Sequence, residues 1–277
     1  MRLKITLQNP SVCSIPVNYQ YQLSAAVYHI LNTASPKFAQ FLHEHGYIGQ
    51  DGKPRKLYTF SFLNFKDHYI LKNNRFHFKA HSCLSFILSS PMLNDFIQNF
   101  VQGLFDSQII RIGDTEFHIM QVESLPYPEF QFSMIFQPLS PIVVTTMVDT
   151  NKGAKTYYYR PEDNVLPEAI RLSLIKKHQT AYGKPPENDR LDIIIDKEYL
   201  EKQRRSGKPV SKLIVLRQGR PDETRIKGFM VPVKMKGSVE LMKTAWECGV
   251  GDKCSMGFGC VDKMQEDQPG RPGGGEG

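Results

Sequence analysis

Gly249-Val250-Gly251-Asp252-Lys253-Cys254-Ser255-Met256-Gly257-Phe258-Gly259 holds two Gly-x-Gly pairs within eleven residues. Glycine accepts positive φ and lets a second backbone come close. The segment therefore reads as a loop whose N–H groups can face a phosphate, with Lys253 as a point charge at its centre. Before the loop, Val239, Met242, Ala245 and Trp246 recur at helical spacing after Ser238, a good N-cap, and Gly249 falls where a C′ glycine belongs. After it, residues 256–261 alternate bulky and small side chains, the pattern of a strand with glycine on one face. The order is helix, glycine loop, strand. Dinucleotide and P-loop fingerprints need strand, loop, helix, so a nucleotide cofactor is not expected here. A Gly-rich connection that binds nothing is the plainer alternative.

Working outward, the second half of the chain supplies the partners such a loop needs. Residues 130–137 and 142–148 are strand-like, 167–182 are helical, and 191–195, 213–217 and 224–233 read as strands. With the closing helix and strand they make a βαββαβ unit. Pro232 marks its strand as an edge. Residues 155–160, Lys-Thr-Tyr-Tyr-Tyr-Arg, mix aromatic and basic side chains as a single-stranded RNA platform does, although tyrosines in a strand also serve packing. Lys227-Gly228-Phe229 echoes the start of an RNA-recognition RNP1 motif. Arg204, Arg205 and Lys208 fall in a basic loop, 202–208, suited to phosphate contacts if the partner is RNA.

The first half repeats the plan. Residues 1–8 form a strand, and Leu23, Ala26, Val27, Ile30 and Leu31 stand at i, i+3, i+4, i+7 and i+8 of a helix. Tyr28 lies about 140° from Leu23 on the wheel, off the apolar stripe. Ser35-Pro36 caps a second helix, whose apolar arc is Phe38, Ala39, Phe41 and Leu42; His43 projects from its edge and His45 returns toward the arc. After a polar loop, 46–55, Lys56 opens a strand through residue 63. Further strands at 69–71, 75–79 and 83–88, a helix over 91–105 and a hairpin turning at Gly113-Asp114 complete the unit. Prolines 126 and 128 punctuate the chain. The expected fold is α+β: tandem ferredoxin-like (RRM-like) βαββαβ domains over 1–125 and 126–264, with a disordered Gly- and Pro-rich tail, 265–277.

Composition limits the function classes. Hydrophobic residues make up 40% and charged residues 23% of 277, with no apolar run of the ~18 residues a membrane span requires. The N-terminal residues alternate like a strand and lack a signal-peptide core, so a cytoplasmic location is expected. Five cysteines without a C-x-x-C pair suggest reduced thiols, and His43-Glu44-His45 lacks the i, i+4 spacing of a helical zinc site, so neither metal nor cofactor is expected. The net charge is +7 and the pI about 9.0. Residues 1–140 hold only 11 of the 35 basic residues, which biases the second half toward a polyanionic partner.

The loop with its four glycines, Val250, Phe258 and the intervening Lys253 resembles the signature of the CRISPR-associated precursor-RNA endoribonucleases of the sixth Cas family. The likeness extends to about residue 264. It implies tandem ferredoxin-like domains and cleavage of CRISPR repeat RNA without a metal. In that chemistry the 2′-OH attacks its own phosphate and leaves a 2′,3′-cyclic phosphate and a 5′-OH. Relatives of this kind carry a tyrosine on the first helix, a histidine in a Leu-His-Glu context on the second, and Lys-Leu-[Tyr/Phe]-Thr beyond it. Tyr28, His43 within Leu42-His43-Glu44, and Lys56 within Lys56-Leu57-Tyr58-Thr59 match those places. The resemblance implies RNA contacts by Gly249, Gly251, Lys253, Gly257 and Gly259. The partners it implies are repeat RNA, other effector-complex subunits and a second copy of the chain. His29, His45, Lys53 and Arg55 are alternatives for the catalytic positions, and a non-catalytic RNA-binding subunit is the competing class.

Overall fold

A computed structural model describes residues 1–151 and 153–264; the expected tail, 265–277, lies outside the described residues. The first unit contains β1 (Arg2–Gln8), α1 (Gln20–Ala34), α2 (Pro36–Glu44), β2 (Thr59–Phe60), β3 (Cys83–Ser89), α3 (Gln98–Ser107), β4 (Ile109–Ile112) and β5 (Thr115–Leu125). Its antiparallel sheet runs β4-β5-β1-β3-β2. Ignoring the hairpin strand β4, this is the ferredoxin-like order, with the first strand between the last and the third. The apolar stripe predicted for α1 is the buried one: Leu23, Ala26, Val27, Ile30 and Leu31 all lie in the core. Ser35 caps α2, its Oγ accepting from Phe38 N at 3.3 Å.

The second unit contains β6 (Ser133–Pro138), β7 (Thr145–Thr150), β8 (Gly153–Tyr158), α4 (Leu166–Tyr182), β9 (Leu191–Ile195), α5 (Lys197–Arg205), β10 (Ser211–Leu216), β11 (Thr224–Phe229), β12 (Val233–Gly237), α6 (Val239–Cys248) and β13 (Val261–Lys263). Its sheet runs β9-β12-β6-β13, again the ferredoxin-like order. The hairpins β7–β8 and β10–β11 are insertions, each a separate two-stranded sheet. The fold class is therefore tandem ferredoxin-like.

Several local expectations change. Residues 224–233 are not one edge strand: the chain breaks before Pro232, and Val233–Gly237 pairs on both sides, with β6 and with β9. Proline cannot donate to a ladder, so it ends one strand and precedes the next. The basic stretch from 202 is mostly helix, because Asp196 caps α5 by accepting from Tyr199 N at 3.0 Å. The strand expected from Lys56 pairs only at Thr59–Phe60 and again at Asn64–Phe65; between them Ser61 Oγ accepts from Ile87 N. The loop at 46–55 contains a small hairpin, Tyr47–Ile48 with Pro54–Arg55. His45 is exposed and does not return to the apolar arc.

The units share a large, partly polar contact. Arg2, fully buried on β1, places its guanidinium 3.8 Å over the Trp246 ring and donates to Trp246 O (2.6 Å), Val261 O (2.8 Å) and Asp262 Oδ1 (3.1 Å). Ser89 Oγ donates to Trp246 O, Thr59 Oγ1 to Phe258 O, and Phe62 N to Leu139 O. The hydrogen bonds satisfy carbonyls that the glycine-loop region would otherwise bury unpaired.

Candidate active site between the two units

The glycine loop is a wedge between the units. Its amides mostly serve the protein itself: Gly249 N donates to Ala245 O, Val250 N to Gly259 O, Asp252 N to Val143 O, Gly257 N to Cys254 O and Gly259 N to Pro141 O. The expectation that Gly249, Gly257 and Gly259 turn their N–H groups toward a phosphate is thus corrected. These glycines are required by close packing. A Cβ on Gly257, at φ +85°, would lie 2.4 Å from the Phe60 ring, and one on Gly251, at φ +82°, 2.2 Å from Val143 O. Only the stretch from Gly251 to Ser255 reaches the surface of a cleft, and there Lys253, exposed and in the left-handed region at φ +57°, offers its charge.

That cleft, of about 660 Å³, is lined from the first unit by Lys53, Arg55 and Lys56 and from the second by Lys176, Lys177 and Lys253. Two carboxylates also line it. Asp51 is held by Arg55 at 2.7 Å, which keeps its carboxyl well below the usual range, and Asp252 Oδ2 accepts from Thr145 N and Oγ1, both at 2.7 Å. The cleft keeps a surplus of positive charge. Lys177 is partly withdrawn from it, donating to Gly249 O and Gly251 O, each at 2.7 Å, and so fixing the loop. Sequence alone does not single out Lys176 and Lys177. They follow the apolar positions Leu174 and Ile175 on α4, where a basic pair reads as an ordinary solvated face.

Tyr28 and His43 connect to the cleft through Lys56, the one of the three that lines it. Lys56 Nζ donates to Tyr28 Oη at 2.6 Å, and the Tyr28 and His43 rings stand edge to face with centroids 5.9 Å apart. Each comes from a different element: Tyr28 from the edge of α1, His43 from the edge of α2, and Lys56 from the segment before β2. Leu57, buried beside Lys56, has φ +37°, a conformation a branched side chain avoids. The strain, of order 1 kcal/mol, sits at the turn that sends Lys56 back toward Tyr28. His29 and His45 are exposed and make no ring contact with Tyr28, and Lys53 lines the cleft farther along the same hairpin. Arg204 and Lys208 line a different, largely apolar groove beside Ile193 and Leu200, while Arg205 pairs with Glu201 at 3.3 Å; the cleft lining includes none of the three.

Fold and site define a class: a tandem ferredoxin-like protein with a basic cleft between its units and, joined to one of the cleft's lysines, a tyrosine and a histidine. A family model described as CRISPR-associated protein Cas6, N-terminal, matches residues 14–123, and one described as CRISPR associated protein Cas6, C-terminal, matches residues 125–263. The chain belongs to the Cas6 family. It is 31% identical over 272 residues to CRISPR-associated endoribonuclease Cas6 1 of Methanocaldococcus jannaschii, covering 96% of this chain and 94% of the relative. It is 27% identical to CRISPR-associated endoribonuclease Cas6 of Pyrococcus furiosus, covering 89% and 83%. A solved structure titled CRISPR associated protein Cas6 superposes with a TM-score of 0.73 at 29% identity, covering 96% of this chain and 99% of the other.

Proposed function

We propose that the protein is a metal-independent endoribonuclease that cuts CRISPR repeat RNA in precursor transcripts to release guide RNAs. The observation that carries this reading is the convergence of Tyr28 and His43 on Lys56, which lines the basic cleft. The relatives named endoribonucleases support the reaction class.

RNA brings its own nucleophile. The 2′-oxygen forms a bond to the adjacent phosphorus, the bond from phosphorus to the 5′-oxygen breaks, and one proton leaves the 2′-OH while another reaches the departing oxygen. His43, exposed beside Tyr28, moves one of these protons. Lys56 donates to Tyr28 Oη, so the tyrosine oxygen acts as acceptor there, and the buried Tyr58 hydroxyl is a second neighbour of that group. The ammonium also stabilises the dianionic phosphorane, a role oriented cations fill with a large effect on rate.

The test is incubation of labelled repeat RNA with the protein in EDTA. A single cut yielding a 2′,3′-cyclic phosphate is expected, and His43→Ala should cut at least about 10²-fold more slowly while binding RNA as before. A gel shift without product from the unaltered protein would replace the nuclease with a repeat-RNA-binding subunit.

A further inference from the structure

Two stretches with an RNA-binding flavour, residues 155–160 and 227–229, lie some seventy positions apart in the sequence. Both line one groove of about 550 Å³ between the inserted hairpins β7–β8 and β10–β11. Neither hairpin belongs to the ferredoxin-like sheet. Strand alternation puts Lys155, Tyr157 and Tyr159 on one face of β8 and its continuation, and the rings of Tyr157 and Tyr159 meet edge to face at 5.5 Å. Lys227 on β11 stands opposite Leu213 on the hairpin face that also carries Ser211 and Phe229, Lys212 opposite Gly228 lies on the other face at the groove's border, and Arg160 closes the end.

The charge in this groove is unspent. Lys155, Arg160, Lys212 and Lys227 are all exposed, no carboxylate lines the groove, and among the described residues none of the four forms an ion pair. Nearby arginines behave otherwise: Arg205, Arg217 and Arg225 each face a carboxylate. A cation cluster whose one adjacent carboxylate, Asp163, accepts from Arg160 N and the Tyr157 hydroxyl rather than from an ammonium suits a phosphodiester backbone with unstacked bases. Tyr157 is held ready, its hydroxyl donating to Asp163 Oδ2 at 3.0 Å. Tyr159 borders both this groove and the cleft that contains Lys56.

The geometry points to the hairpin groove as a second RNA site, which takes a single-stranded segment of the RNA bound in the cleft, its phosphates on Lys155 and Lys227 and a base against Tyr157. This rests on the reading of the cleft as an RNA site. The experiment titrates fluorescein-labelled oligouridine against the unaltered protein, Tyr157→Ala, and the combined Lys155→Ala, Lys227→Ala variant, each checked by circular dichroism. The dissociation constant should rise about tenfold in each variant. The slope of its logarithm against log salt should fall by about 1.4 in the double variant, at roughly 0.7 for each phosphate no longer neutralised. In the unaltered protein, 5-iodouridine RNA should crosslink to Tyr157 or Tyr159. Equal affinities and slopes, crosslinks confined to other segments, or no oligouridine binding at all would overturn the groove. So would an acidic polypeptide that fills it without displacing RNA. Groove-dependent binding by a protein that never cuts repeat RNA would overturn the nuclease reading and uphold the groove; cutting with groove-independent binding would do the reverse.

Discussion

Lys56 and Tyr28 share a hydrogen bond of 2.6 Å, which makes each the other's orienting group. If the cleft works as proposed, Lys56→Met should slow single-turnover cleavage by about 10²- to 10³-fold, the scale of losing one charge stabiliser, with a smaller effect on RNA affinity. A Lys56→Met enzyme that cuts at the parent rate would remove the lysine from the mechanism. A second residue-scale effect concerns His178, which is buried on α4 and has Nδ1 3.0 Å from Thr244 Oγ1. The Thr244 hydroxyl spends its proton on Glu240 O, so Nδ1 is the donor; Nε2 is buried without a partner. Burial, more than the opposing pulls of nearby Glu240 and Lys184, pushes the imidazolium pKa down. With the folded value below the unfolded one, the stability from neutral His178 is complete above about pH 6.5 and is lost as pH falls through that value, by roughly 1 kcal/mol per unit. Urea midpoints measured from pH 7.5 to 5 should show this decline, and His178→Asn should flatten it.

At the scale of elements, the glycine loop differs most in role from what its composition suggests. Four glycines and a lysine read equally well as a phosphate cradle and as a tight connection, because both need positive φ and close approach. Only the acceptors decide, and here they are Ala245 O, Gly259 O, Val143 O and Pro141 O, all within the protein. Gly257→Ala should therefore cost about 2–4 kcal/mol, the sum of left-handed strain and overpacking against the buried Phe60 ring. Gly219→Ala, equally left-handed at φ +76° but open to solvent, should cost about 1 kcal/mol. Chemical denaturation of the two variants checks the difference, and equal losses would mean that Phe60 yields. Helices with an apolar stripe were legible: α1 and α6 follow from spacing and caps. Helix α5 was not, because Lys-Glu-Tyr-Leu-Glu-Lys-Gln-Arg-Arg buries no residue, and its Asp196 cap is the one local sign of it. Strand β12 was hidden behind Pro232, although Val233 and Met235 inward with Lys234 and Lys236 outward is a plain alternation.

At the scale of the whole molecule, Tyr28, His43 and Lys56 could be picked out singly, from wheel positions and a family pattern, but their meeting depends on how α1, α2 and the turn at Leu57 pack. The groove between the two hairpins is less legible still, since no pairing rule links residue 155 to residue 227. The contact between units hinges on Arg2, whose removal would take the side-chain donor from the Val261 carbonyl and leave the Trp246 carbonyl with Ser89 Oγ alone. Arg2→Ala should cost roughly 3–5 kcal/mol and split urea unfolding into two transitions, one for each unit. A single transition at the parent midpoint would show that the apolar contacts suffice. The partners of Arg2 stand 244 to 260 positions further along the chain. During synthesis β1 thus waits until residues 246–262 have left the ribosome before its guanidinium finds Trp246 and Val261. A product terminated before Trp246 would keep a buried-type arginine in solvent and offer quality control an unfinished seam, which makes translation through Asp262 a condition for an assembled cleft.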